Sequence, residues 1–177
     1  MDIHQASVSY NTNADRLLLR VRTRDDQLFQ AWLTRRLMLR LWQPLGGIVT
    51  KLHLATATPH AVVVPEAQAM VAQAARSQSL QGADFKTPFV ATVREQPLGE
   101  EPMLVAEVQL TQLPANQLKL VLLDDKRRHM TLQLTPQLVT GLQQLLAQAL
   151  KQADWGVLQE EPAPPTEPAQ PETRLLN

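Results

Sequence analysis

Set against itself at an offset of 101 residues, the chain matches over residues 14–45 without a gap, with nine identities in 32 positions. Ala14, Leu17, Leu19, Leu33, Thr34, Leu37, Leu41, Gln43 and Leu45 face Ala115, Leu118, Leu120, Leu134, Thr135, Leu138, Leu142, Gln144 and Leu146. In each window alternating runs are followed by a helical stripe, the pattern of a β-hairpin leading into a helix. Such a unit buries only one apolar face, and two of them close most simply on each other. The expected fold is therefore α+β, with two antiparallel hairpin- or meander-plus-helix units sharing one core and an Ala-rich helix between them. Leucine-rich units of this kind match at inward positions by convergence as well as by duplication. The missing gap and the recurrence of Leu-Thr at the helix start favour duplication, and the shared architecture holds under either origin.

In the first unit, residues 4–10 read as a strand and residues 11–15 as a turn. Residues 16–24 alternate strictly, with Leu17, Leu19, Val21 and Thr23 on one face and Arg16, Leu18, Arg20, Arg22 and Arg24 on the other. Asp25-Asp26 turns the chain into a return strand over residues 27–33. Thr34 then opens a helix, its hydroxyl suited to the free N–H groups of the first turn, with Leu33 and Met38 placed as a hydrophobic staple. Leu37, Met38, Leu41, Trp42 and Leu45 form its apolar stripe. Pro44 lacks an N–H and is expected to bend or end this helix, and Gly46-Gly47 weakens it further.

Residues 56–64 form a connector, Pro65 and Glu66 suit a first helical turn, and the Ala-rich run beyond them is a good helix former. Gly82 closes that helix, residues 89–95 read as a strand, and residues 98–102 as a turn. The second unit has strands over residues 103–113, 117–123 and 129–134, joined by turns at 114–116 and 124–128. Thr135 caps its helix and Pro136 takes the first position, where a missing N–H costs nothing. Leu138, Val139, Leu142, Leu145, Leu146 and Leu150 continue the stripe.

These elements define a single domain over residues 1–155, with a first unit at 4–55, a connecting helix at 65–80 and a second unit at 88–153. That length is ample for one core. Residues 156–177 are expected to form a disordered tail, because residues 160–177 hold five prolines and four glutamates and no hydrophobic period. Net charge is zero but uneven: residues 1–51 carry eight basic groups against four acidic, and residues 154–177 carry five acidic against one basic. A basic front and an acidic tail can steer a partner or fold back on each other.

Several function classes are excluded or disfavoured. There is no cysteine, hence no disulfide and no thiolate chemistry. The first ten residues lack the pattern of a signal peptide. The longest apolar stretch, residues 37–54, is broken by Arg40, Pro44, Lys51 and His53, so no membrane span is expected and the protein reads as cytoplasmic. His4, His53, His60 and His129 are scattered, and a helical pairing of His53 with His60 would cross Pro59, so no metal site is expected. Asp25-Asp26 and Asp124-Asp125 occupy equivalent turns, where aspartate serves local hydrogen bonding and lacks the burial that shifts a catalytic pKa. Phosphate-binding loops and nucleophile motifs are absent. Neither catalysis nor a cofactor is expected.

One surface stands out. Arg20, Arg22 and Arg24 project from one face of the first hairpin, with Gln30 and Trp32 on the matching face of its neighbour. Arginine forks beside a stackable ring suit phosphate and base recognition, although polar residues also alternate on any solvent-facing strand. The second unit instead presents Lys119, Val121 and Leu123, with Gln133 opposite. That more apolar face is open to covering by the middle helix or by a second subunit in a homo-oligomer.

The motif Asp15-Arg16-Leu17-Leu18-Leu19-Arg20, followed by Trp32-Leu33-Thr34-Arg35-Arg36-Leu37 and by Ala83-Asp84-Phe85, resembles a family of uncharacterised proteobacterial proteins. The resemblance implies a bacterial cytosolic protein and carries no activity with it. In outline, two multi-strand-plus-helix units closing on each other are also similar to the PUR and whirly single-strand-binding folds. The expectation is a non-enzymatic protein-interaction or accessory component contacting its partner through Arg20, Arg22, Arg24 and Trp32, with single-stranded nucleic-acid binding through the same hairpin as the alternative.

Overall fold

Strict alternation and tight turns make the front of the chain a meander. In the computed structural model, which describes residues 2–57, 65–81 and 87–158, this comprises β1 (Ile3–Asn11), β2 (Arg16–Thr23) and β3 (Leu28–Thr34), followed by helix α1 (Arg35–Ala57). Helix α2 (Pro65–Gln81) and the short β4 (Met103–Leu104) follow. A second meander, β5 (Glu107–Leu113), β6 (Gln117–Leu123) and β7 (His129–Leu134), leads into helix α3 (Pro136–Ala153). The fold is α+β, with a four-stranded sheet ordered β1-β2-β3-β4 and a three-stranded sheet ordered β5-β6-β7.

The inner faces of both sheets meet the helices in one continuous cluster. Leu17, Leu19, Leu33, Leu118, Leu122, Leu132 and Leu134 are all at most 2% exposed. Helix α3 packs on β1 and β2 of the first sheet as well as on β6 and β7 of its own. Leu19, Leu41 and Leu45, together with Leu120, Leu142 and Leu146, line a single central void of about 10 Å³. Trp155 and Val157 belong to the same core.

The β2–β3 and β6–β7 hairpins share their register at the 101-residue offset. Pairs Leu17↔Leu33, Leu19↔Ala31 and Val21↔Phe29 recur as Leu118↔Leu134, Leu120↔Leu132 and Leu122↔Met130. Left-handed backbone appears at Asp15 and Asp26 and again at Asn116 and Arg127. In the β2–β3 turn, Asp26 N–H donates to Thr23 O and Thr23 N–H to Gln27 O; in the β6–β7 turn, Arg127 donates to Asp124 O and Asp124 to Arg128 O. This is a three-residue hairpin loop ending in an αL residue. Thr34 Oγ accepts from Leu37 N–H at 3.2 Å and Thr135 Oγ from Leu138 N–H at 3.4 Å, capping both helices. The match slips by one residue at the first hairpin: Asn11↔Arg16 closes a loop one residue longer than Leu113↔Gln117.

Two sequence expectations, at residues 89–95 and 103–113, are corrected, and a third is narrowed. Helix α1, expected to bend or end at Pro44, does not end there: it runs through Gly46-Gly47 to Ala57. The proline ring lies on the exposed side, while Leu41, Leu45, Val49 and Leu52 are buried and hold both halves. Residues 89–95 form no strand; a lone parallel bridge, Gln27↔Glu95, is their only ladder contact, and side chains attach the rest. The expected strand over 103–113 is split between sheets. Val105 N–H donates to Trp32 O at 3.0 Å, and the next residue, Ala106, donates to Leu123 O at 2.8 Å, so the chain passes from one sheet to the other within a single step. Most of the connector before α2, Gly82, residues 83–85 and the tail beyond Leu158 lie outside the described residues.

Candidate functional site

The hairpin arginines singled out in the sequence are engaged within the fold. Arg20 Nε donates to Ser7 Oγ at 3.1 Å, and its guanidinium lies 4.6 Å from the centre of the Phe89 ring. Arg22 binds the Asp26 carboxylate at 2.6 Å, closing its own turn. Arg24 pairs with Asp2 at 3.2 Å, with both side chains well exposed. Trp32 is half-buried and its strand is flanked by β4, with Leu104 beside it. Residues 87–102 cross this outer face: Gln27 Nε2 donates to Glu95, Gln30 to the Glu100 carbonyl, and Leu28 N–H to Glu95 O. Arg128, equivalent to Gln27, holds the same segment through Leu98 O at 2.9 Å. Its guanidinium and backbone N–H also grip buried Asp124. Burial alone would raise the Asp124 carboxyl, but these hydrogen bonds outweigh it and hold the group below its ordinary value.

A larger feature lies elsewhere. Strand β1, α2, α3, residues 87–89 and the end of β7 surround an open groove of about 1490 Å³. Its apolar lining includes Ile3, Phe89, Leu134, Leu138, Leu142 and Leu145, and its polar lining is amides and hydroxyls, among them Gln5, Ser7, Gln78, Ser79, Thr135 and Gln137, with the imidazoles of His4 and His53. Among the described residues, none of the lining is Asp, Glu, Lys or Arg. β1 and β7 are edge strands of their sheets, and both contribute. Gly141 opens the α3 wall: a Cβ built there meets nothing within 4 Å.

His53 sits at the bottom of this groove, 2% exposed. Its Nε2 lies 2.6 Å from Thr140 Oγ, which is also 2.7 Å from Pro136 O. Burial, aided by the charge of Arg76, lowers the His53 pKa and keeps the ring neutral. The contact with Thr140 ties α1 to α3 at the base of the groove. Among the described residues no cluster of three His, Asp or Glu is placed to hold a metal ion, and no helix is long and apolar enough to cross a membrane.

Sequence reasoning missed two features. The groove gathers residues from β1, β7 and all three helices, so no local motif marks it. Its one local trace is Gly141, which costs helix stability in the middle of a stripe that Ala would serve better. The second is the outward face of α1, where Arg36, Leu39, Arg40, Gln43, Gly47 and Lys51 are all exposed. The helix contains four basic residues and no acidic one. Among the described residues none of these cations forms a salt bridge, whereas Arg22, Arg24 and Arg128 do. Helical spacing of Arg36, Arg40, Gln43, Gly47 and Lys51 is the sequence signal for this face.

No family model, curated protein or solved structure matches the chain.

Proposed function

We propose that the protein is a non-enzymatic cytoplasmic binding component that takes an extended segment of a partner polypeptide into the groove between β1, α2 and α3. The observation that carries this reading is the chemistry of the lining. An uncharged wall mixing leucines with amides and hydroxyls complements a peptide backbone and apolar side chains, and suits neither a phosphate nor a charged metabolite. An edge strand beside such a groove offers unpaired backbone groups to which an extended peptide adds as a further strand. We further propose that the two units arose by duplication. The recurrence of register, turn bonds and threonine caps at one offset supports this, since convergence on leucine patterning does not require it.

Peptide display on the immobilised protein tests the binding reading. Enriched peptides are expected to share an extended alternation of apolar residues. They should lose affinity at least about tenfold for Gly141→Trp, a loss of about 1.4 kcal/mol. A Cβ at this position meets nothing within 4 Å, and Gly141 lines the groove, so the substitution is directed at the groove. No enrichment above background, or enriched peptides indifferent to Gly141→Trp, contradicts it.

Single-stranded nucleic-acid binding remains a second reading, favoured by the unpaired cations on α1. Oligonucleotide binding that is present at low salt, declines with added salt and is weakened by Arg36→Ala and Arg40→Ala would support it; its absence at low salt removes it.

A further inference from the structure

We propose that the outward face of α1 is the docking surface of the chain's own acidic segment, residues 159–177. Charge complementarity is the first ground. The helix carries Arg35, Arg36, Arg40 and Lys51 with no acid among its 23 residues, and its first turn, the positive end of the helix dipole, holds two arginines and no neutralising carboxylate. Residues 159–177 carry Glu160, Glu161, Glu167 and Glu172 against Arg174.

The second ground is where the described chain stops. Trp155 and Val157 are buried and Leu158 packs on the core. The Trp155 indole donates to Asp15 Oδ1 at 2.8 Å. Arg35, the first residue of α1, is close enough to Asp15 to help lower that carboxyl's pKa. Trp155, four residues before the acidic segment, therefore sits on the same carboxylate that Arg35 faces.

The third ground is reach. At about 1.5 Å per residue, the axial distance from Arg40 to Lys51 is about 17 Å. A proline-rich chain advances about 3.1 Å per residue, so six such residues, the separation of Glu161 and Glu167 in the sequence, can span about 19 Å. With Glu160 and Glu161 against Arg36 and Arg40, Glu167 arrives at Lys51. In this arrangement the segment neutralises the helix and competes with any other polyanion for it. This inference concerns a surface separate from the peptide groove, and neither depends on the other.

The chain has no cysteine, so a single spin label at Thr166→Cys is unambiguous, and amide line broadening in the full chain reads its position. The expected result is severalfold loss of signal intensity confined to the Arg36, Arg40, Gln43 and Lys51 face of α1. The signals should recover at about 1 M salt, where the Debye length is about 3 Å, and in an Arg36→Glu/Arg40→Glu variant whose remaining spectrum shows it folded. Broadening that falls on the β2–β3 hairpin or the groove, is absent, or resists salt overturns the proposal. So does oligo-deoxythymidine shifting the same α1 amides equally in the full chain and in a chain ending at Leu158, which would assign the face to nucleic acid.

Discussion

Asp15 shows how much one turn residue can organise. It sits at φ 46°, a left-handed position that aspartate tolerates better than most residues. Its Oδ1 accepts from the Trp155 indole at 2.8 Å and from Tyr10 hydroxyl at 2.9 Å, while the two rings meet edge to face. The indole bond, the tyrosine bond and nearby Arg35 together hold the carboxyl below its ordinary 3.8, against a smaller opposing effect of burial. Since the folded value is depressed, the contribution is fully present above the unfolded pKa and is lost as pH falls through the folded one. Acidification below the usual carboxylate range should therefore shift the Trp155 indole N–H resonance, and Asp15→Asn should remove that titration while keeping the acceptor. An unchanged titration in Asp15→Asn would show that another group releases the tryptophan. The sequence marked residues 11–15 as a turn, but a bond spanning 140 residues has no local signature.

Arg127 makes the complementary case. It occupies the αL corner of its loop at φ 64°, as Asp26 does in the first unit, but Asp26 uses its carboxylate to bind Arg22. Side chains other than glycine are strained there. Arg127→Gly should stabilise the fold by about 1 kcal/mol, read as a higher urea midpoint, whereas Asp26→Gly should gain less because it also breaks the ion pair. A destabilised Arg127→Gly would mean that the side chain makes a contact stronger than the strain.

Among the elements, α1 separates local propensity from tertiary packing. Pro44 and Gly46-Gly47 are strong reasons to end a helix, yet the element continues for 23 residues. Buried Leu41, Leu45, Val49 and Leu52 secure it from below, and burial outweighs propensity. The cost is still present. Pro44→Ala restores an N–H to the Arg40 carbonyl and should stabilise by about 1–3 kcal/mol. Gly47→Ala, with open space around the new methyl group, should add about 1 kcal/mol. Chemical denaturation of both variants measures this, and no gain in either would mean that the helix needs its local irregularity. By contrast, β2, β3, β6, β7 and the start of α3 were legible, because alternation at period two and a Thr-Pro start leave little choice. Residues 89–95 and the switch of sheets at 105–106 were not: side chains there cover one sheet, backbone joins two, and neither role has a sequence period.

The whole molecule joins two matching interiors with unlike exteriors. The first sheet's outer face is covered by residues 87–102, and α1's outer face is bare and basic. The three helices meet around His53, whose pKa is lowered first by burial and then by the charge of Arg76. A depressed histidine value means that the unfolded chain takes up the proton first. Stability should therefore be level above the ordinary 6.5 and decline as pH falls below it. Urea midpoints measured between about pH 8 and pH 5 should show this decline in the wild type and flatten in His53→Gln; equal slopes would assign it to other groups. The groove above His53 was illegible in the sequence because it exists only once both units have closed.

A peptide site at that groove would be built on the edge strand β1. Amide hydrogen exchange of the full chain, with and without a display-selected peptide, addresses it directly. The prediction is slowed exchange at alternate amides of β1 and along the α3 wall around Gly141, with residues 36–43 of α1 unchanged. Protection confined to α1, or to no part of β1, would contradict it.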